Sequence, residues 1–314
     1  MDKDVKPLVS VIMPAYNAAK YINDSIESVQ KQTFTNWELI VVDDGSKDST
    51  AVVVKKLQET DNRIKYYYQS NKKQAAARNT GISNASGQWL AFLDADDVWV
   101  AAKLQQQLDA AAESNADVIF SSGYYLTGSK ELLPYDSPKG KFSGIELYPR
   151  LFQHNYIAIL SVMLKKSLVE QVGLQDESLQ AYGCEDWDYW LRCCRHDAVF
   201  FGMEQRLFQY RFNSTGTSGN KLLMHMAECY VLFKNYDEKF LAGAERKKAK
   251  VKFTDKVIFI INELTSKGEK DKVSYYFHLL RELSSNRVKY TVAYILIKIL
   301  KHKSKRFINY ILYH

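Results

Sequence analysis

The first hundred residues alternate between two hydrophobic periods. LVSVIM (8–13) is a nearly continuous apolar run, the pattern of a strand buried on both faces of a parallel sheet. Ile22, Ile26 and Val29 follow at spacings of four and three, which marks one face of a helix. WELIVV (37–42) predicts a second buried strand, and DDGSKDST after it a turn in which Asp48 or Ser49 caps a helix starting near Ala51. RIKYYYQ (63–69) reads as a third strand, QAAARNTGISNA (74–85) as a helix and QWLAFL (88–93) as a fourth strand. Strands alternating with helices in this order predict an α/β fold with a mostly parallel, Rossmann-like sheet and right-handed crossovers.

Beyond residue 100 the periods continue less regularly. KLQQQLDAAAES (103–114) predicts a helix and DVIFSSGYYL (117–126) a strand. Residues 127–144 hold two of the five prolines and read as a long loop. AILSVMLKKS (158–167) reads as another strand, and SLVEQVG (167–173) as a short helix stopped by Gly173. GCEDWDYWLRCCRH (183–196) is an acidic and aromatic stretch leading into a helix, with AVFFGMEQRLFQYR (198–211) after it. From about Lys221 the chain reads as helical, polar and basic, so a division into 1–220 and a helical C-terminal extension, 221–314, is expected.

In open α/β sheets ligands bind beyond the carboxyl ends of the strands. PAYN follows the first strand, DDGS the second and DADD the fourth, so Asp43, Asp44, Asp94, Asp96 and Asp97 are expected along one sheet edge. Singly, each has a plain reading: Asp43 and Asp44 open a turn, and Asp97 caps the next helix. Together they crowd like charges into one crevice, where each raises the cost of ionising its neighbours. A cation is expected among them. No G-x-G-x-x-G follows the first strand and no P-loop occurs, which argues against a dinucleotide dehydrogenase or a P-loop NTPase. Hard-metal coordination by carboxylates is then the expected means of holding phosphate.

Composition narrows the setting. With 314 residues, 46% hydrophobic and 25% charged, the chain is an ordinary globular protein. No apolar window is long enough to span a bilayer, and the N-terminus carries no secretory pattern. Cys184, Cys193, Cys194 and Cys229 lack C-x-x-C spacing, which suits a reducing, cytoplasmic compartment. The net charge of +7 lies entirely after Glu282, where seven basic residues meet no acid. If the tail 290–314 is helical, Val292, Leu296, Ile299 and Leu300 line one face and Lys298, Lys301 and Lys305 the opposite one, an imperfect stripe with Lys303 on the apolar side and Tyr294 and Ile297 outside it. Such a helix suits peripheral contact with an anionic membrane, at the inner face of the cytoplasmic membrane; packing on the protein or a dimer contact is the alternative. A nucleic-acid-binding role through this tail is weak, because the main body is neutral and carries no nucleic-acid motif.

VSVIMPAYN, WELIVVDDGSKDST, ARNTGI, WLAFLDADD and EDWDYWLR, in this order over roughly residues 8–212, resemble the family 2 glycosyltransferases of GT-A fold. The resemblance implies an inverting transferase of the bacterial surface-glycan type. An acceptor hydroxyl, on a glycan or a lipid-linked glycan, would attack the anomeric carbon of a nucleotide sugar, usually a UDP-sugar. It also implies a catalytic domain over 1–220, with a nucleotide-sugar half over about 1–100 and an acceptor half over about 101–220. On this reading Pro14 and Tyr16 line the base pocket, and Asp44 accepts a hydrogen bond from the base with Asp43 in support. Arg78 lies near the nucleotide, as does Lys73, which stands where the family often carries glycine. Asp94-Ala95-Asp96 resembles the D-x-D motif: Asp96 binds Mn²⁺ or Mg²⁺, and Asp94 reaches the ribose or a metal-bound water. Residues two apart at a strand end share a side, so Ala95 should face away. Asp186 is the implied general base with Glu185 beside it; the plain reading is that Glu185, Asp186 and Asp188 crowd a helix N-terminus, where acids are favoured. Trp187, Tyr189 and Trp190 could stack on a sugar or belong to the core. YRFNSTGTS (210–218) reads either as a lid carrying Arg211 toward phosphate or as a plain surface loop. A nucleotide-sugar binder with little turnover is the alternative within the same fold.

Overall fold

A computed structural model describes residues 6–127, 131–178, 180–211 and 220–283. The apolar runs form strands β1 (Val9–Ala15), β2 (Trp37–Asp43), β3 (Ile64–Tyr68) and β4 (Trp89–Phe92), and every residue of β1 and β2 is buried. Helices α1 (Ile22–Gln30), α2 (Thr50–Thr60) and α3 (Lys73–Ser83) connect them. Ile22, Ile26 and Val29 are fully buried, a gain of roughly 1.5–3 kcal/mol for each such side chain. Helix α3 can lie close on β1 because residue 81 is glycine: a Cβ there would come 2.6 Å from Ile12 Cγ2.

The second half adds β5 (Val98–Trp99), α4 (Lys103–Ser114), β6 (Val118–Leu126), β7 (Leu132–Tyr135), β8 (Gly140–Phe142), α5 (Gly144–Gln153), β9 (Met163–Lys165), α6 (Lys166–Val172), α7 (Glu185–Arg195) and β10 (Phe200–Arg211). All strands among the described residues join one sheet of order β3-β2-β1-β4-β9-β6-β10-β5, with β7 on β6 and β8 on β10. Strands β1 to β4 pair in parallel, as do β6 and β10. Among the described residues the antiparallel pairings all involve the short strands β5, β7, β8 and β9.

Two sequence expectations need correction here, and a third is decided between its two alternatives. Residues 127–144 are no featureless loop: β7 and β8 lie within them, and Pro134 sits on β7, which among the described residues pairs only with β6, where a missing N–H is tolerated. AILSVMLKKS is only briefly a strand, since Ile159–Ser161 is a 3-10 turn and α6 begins at Lys166. Helix α2 has no side-chain cap from Ser49; Asp48 Oδ1 instead accepts from the Thr50 backbone and hydroxyl.

The chain divides into two compact units, Met1–Ser214 and Thr215–His314. The second contains α8 (Lys221–Lys234), α9 (Gly243–Ser266) and α10 (Lys270–Leu283). Asn220 caps α8 by accepting from Leu223 N–H, while Phe233 of α8 meets Phe253 of α9 with ring centroids 6.1 Å apart. The tail 290–314, and with it the expected membrane contact, lies outside the described residues. Among the described residues no helix is long and apolar enough to cross a membrane. All four cysteines are free and buried.

Candidate active site

The carboxyl ends of β1, β2 and β4 lie side by side at one edge of the sheet, and hydrogen bonds tie the loops that follow β1 and β2. Pro14 is buried within β1, while Tyr16 just beyond it is 50% exposed. Asn17 N–H donates to Ser46 Oγ, and Asn17 Oδ1 accepts from Lys47 N–H. Buried Asp43 accepts from Ser46 N–H and from the Tyr66 hydroxyl, both at 2.8 Å. Buried Asp44 accepts from Gln69 Nε2 and Lys72 N–H on Oδ1 and from Lys73 N–H on Oδ2, each at 2.8 Å. A carboxylate has about four acceptor sites, so Asp44 orders the 69–73 loop and keeps room for one further donor. Lys73 pays for this contact with a left-handed backbone, φ +74°, a conformation that glycine adopts without strain. Its ammonium lies 5.6 Å from the centre of the Tyr182 ring.

Strand β4 ends at Phe92, and the turn after it carries Asp94 and Asp96 partly exposed with Ala95 buried between them, as the alternation predicts. Asp94 Oδ1 accepts from Arg78 Nη2 at 2.7 Å. Burial, and next the charge of Asp94, push the Asp96 carboxyl up to about 6, against the pull of Arg211. Asp97 does not cap a helix. It is buried, its Oδ1 accepts from Arg211 N–H at 2.6 Å, its Oδ2 has no partner among the described residues, and α4 begins only at Lys103. Arg211 Nε also donates to the Asp96 carbonyl at 2.8 Å, which ties the end of β10 to this turn.

From the other half, α7 brings its first turn to the same place. Glu185, its side chain 3% exposed, accepts from Arg78 Nη1 at 2.7 Å and from Gln74 Nε2 and Gly183 N–H. Burial alone would lower the Arg78 pKa, but the charges of Asp94 and Glu185 more than reverse this and keep the guanidinium charged. Arg78 is itself 2% exposed, so it acts through these carboxylates. Asp186 accepts from Asn155 Nδ2 at 3.1 Å and from Trp187 N–H. Its carboxyl is pushed up to about 7, first by burial and then by the charge of Glu185, with Arg78 opposing. Asp188 is the structural acid of the group: fully buried, it holds Arg192 Nε at 2.9 Å one turn along. Trp187, Tyr189 and Trp190 are core residues, not a sugar platform, since all are buried and the indole N–H groups donate to Leu151 O and Ile157 O.

Four supporting side chains escaped sequence reasoning: Gln69, Gln74, Tyr66 and Asn155. The i, i+4 spacing of Gln74 and Arg78 on α3 was a usable signal, since it puts both on one face. Asn155 follows α5 with no pattern around it.

Among the described residues no group of three metal-ligating side chains converges. Asp94 and Asp96 nevertheless fit a hard divalent cation. They are oxygen donors on one side of a turn, and Asp96 is raised first by burial and then by the neighbouring charge of Asp94. Magnesium-type sites characteristically use one or two carboxylates plus substrate phosphates, not a closed protein cage.

A sequence profile of glycosyl transferase family 2 matches residues 10–171. The chain is 37% identical over 220 residues to UDP-Glc:alpha-D-GlcNAc-diphosphoundecaprenol beta-1,3-glucosyltransferase WfgD of Escherichia coli, covering 68% of this chain and 81% of that one. It is 33% identical over 220 residues to the Bacillus subtilis glycosyltransferase TuaG, named for teichuronic acid biosynthesis, covering 69% and 83%. In fold it is similar to residues 1–349 of S. aureus TarS, solved with UDP-GlcNAc, with TM-score 0.68 at 17% identity over 96% of this chain and 89% of that one. It is also similar to the mannosyltransferase PcManGT from Pyrobaculum calidifontis, solved with GDP-Man and Mn²⁺, with TM-score 0.58 at 16% identity over 98% and 86%. With its parallel β1–β4 unit, its acidic turns and these relatives, the chain belongs to glycosyl transferase family 2, has the GT-A fold and is a glycosyltransferase.

Proposed function

We propose that this glycosyltransferase moves a sugar, with inversion, from a UDP-sugar to a hydroxyl of a lipid-linked glycan in surface polysaccharide synthesis. The observation that carries the reading is one connected chain of side chains. Asp94 of the donor crevice, Arg78, Glu185 and the adjoining Asp186 link the two halves, and Asp186 is raised to about 7. WfgD, by its name, takes UDP-Glc and a diphosphoundecaprenol-linked acceptor, which supports the same classes here.

In this reading residues 1–100 hold the nucleotide sugar and 101–220 the acceptor. Tyr16 offers its exposed ring to the base, Pro14 fixes that ring at the end of β1, and Asp44 accepts from the base with Asp43 holding its turn. Lys73 faces the nucleotide from the loop that Asp44 orders. Asp94 and Asp96 would hold Mn²⁺ or Mg²⁺. When bound, the cation neutralises charge on the departing nucleoside diphosphate. Asp186 takes the acceptor hydroxyl's proton as that oxygen bonds to the anomeric carbon, and the bond to the diphosphate breaks with its electron pair leaving on UDP. General-base help of this kind contributes roughly 10²–10⁴-fold. Glu185, fixed by Arg78, keeps negative charge beside Asp186 and raises its basicity.

The test is UDP release from a panel of UDP-sugars with Mn²⁺ and with a chelator. Metal-dependent release from one donor supports transfer. UDP binding without release from any donor would favour a binder with little turnover. For the basic tail we propose peripheral contact with anionic membrane at the inner face of the cytoplasmic membrane. The full chain should float with anionic but not neutral vesicles, and a chain ending at Ser285 should sediment; sedimentation of both with anionic lipid rejects the contact.

A further inference from the structure

Trp187, Tyr189 and Trp190 lie in the core, so an aromatic ring for a sugar would come from elsewhere in the fold. Strands β6, β7 and β10 supply a group of tyrosines that the catalytic chemistry leaves unused. The rings of Tyr125 and Tyr135 lie 5.2 Å apart, those of Tyr125 and Tyr210 5.7 Å, and those of Tyr135 and Phe208 5.4 Å, all edge to face. Phe208 is fully buried against Tyr135, while the three tyrosines are only part-buried. The bed requires glycine at position 123: a Cβ there would come 2.5 Å from the Phe208 ring. Arg206 pins β7 to the sheet by donating to the carbonyls of Gly123 and Tyr135.

This group adjoins the proposed base. Asn155, which donates to Asp186, precedes Tyr156, whose carbonyl accepts from Ser137 Oγ, two residues from Tyr135. The charge of Asp186 is among the causes that raise the Tyr135 hydroxyl's pKa, after burial and Tyr125. The donor side comes from β1, β2, the start of α3 and the turn after β4, which Arg211, next to Tyr210, ties to the end of β10.

We propose that Tyr125 and Tyr210, supported by Tyr135 and Phe208, form the stacking platform for the acceptor's pyranose ring, beside Asp186. The proposal rests on the glycosyl-transfer reading and adds where the acceptor saccharide sits. One face of a pyranose presents C–H groups, apolar and slightly positive, which match the negative face of an aromatic ring. A tyrosine gives this large contact with few rotatable bonds to immobilise.

The experiment measures binding of octyl α-N-acetylglucosaminyl diphosphate by calorimetry with UDP and Mn²⁺ present, for the wild type, Tyr125→Ala, Tyr125→Phe and Tyr210→Ala. UDP affinity is measured alongside to report an intact donor side. Both alanine variants should lose about tenfold in probe affinity or more, equal to about 1.4 kcal/mol, with UDP affinity unchanged. Tyr125→Phe, which keeps the ring, should bind within twofold of the wild type. No binding of the probe to the wild type, a Tyr125→Ala affinity within twofold of it, or parallel loss of UDP and probe affinity overturns the platform. Metal-dependent UDP release by the wild type is read separately, so the platform can fail while glycosyl transfer stands.

Discussion

Glu185 Oε1 accepts a hydrogen bond from Arg78 Nη1 at 2.7 Å, across 107 residues of sequence, and both side chains are buried. Arg78 Nη2 holds Asp94 at the same distance. One guanidinium therefore fixes the turn after β4 against the helix that carries the proposed base.

Replacing Arg78 with methionine keeps bulk but strands a buried carboxylate. The expected loss is about 3–5 kcal/mol of folding stability, the range for breaking one side of a buried ion pair, read from urea unfolding. A loss under about 1 kcal/mol would mean the bridge is worth no more than an exposed one.

The raised pKa of Asp186 gives two pH signatures of opposite use. Transfer needs the carboxylate, so kcat/KM should climb with an apparent pKa near 7, the value to which burial and Glu185 push this group. Stability runs the other way. A carboxyl with a folded pKa above its unfolded one stabilises at low pH, and that contribution fades as pH rises through 7. Asp186→Asn, permanently neutral, should gain in melting temperature relative to the wild type between pH 5 and pH 8. A constant difference across that range rejects the shifted carboxyl.

Lys73 holds φ +74° at a position whose N–H is fixed by Asp44. Lys73→Gly should leave the loop in place and relieve up to about 1 kcal/mol of left-handed strain, raising the denaturation midpoint. UDP affinity should fall severalfold because the ammonium is lost. Unchanged UDP affinity would remove Lys73 from the nucleotide site.

Asp96→Ala should abolish metal-dependent turnover, since Asp94, already engaged by Arg78, would hold a cation poorly by itself. Full activity at ordinary Mn²⁺ concentrations would refute the metal assignment.

The legible part of the fold was the part built from long uniform patterns. Strands β1, β2 and β4 announced themselves as apolar runs, and α1 as a four-and-three spacing, because burial there is continuous. Strand β5 has two residues and β8 three, too few to show a period, and β7 carries Pro134, which reads as a loop. These segments are strands only because β6 and β10 offer them partners. In the site, the acids at the strand ends were legible from their positions. What a single acid touches was not: Asp97 reads the same in sequence as a cap or as the buried acceptor of Arg211 N–H. Arg78 was placed near the nucleotide, yet its partner Glu185 lies too far along the chain for spacing to reveal.

The most direct test of glycosyl transfer through Asp186 is Asp186→Asn assayed for transfer and for UDP binding on the same preparation. The amide keeps the size of the side chain and can still accept from Asn155, but it cannot take a proton. Transfer should fall by about 10²-fold or more, while UDP affinity stays within twofold of the wild type. Wild-type transfer by this variant, or an equal loss of binding and transfer, would contradict a base at Asp186 and leave it a structural acid at the start of α7.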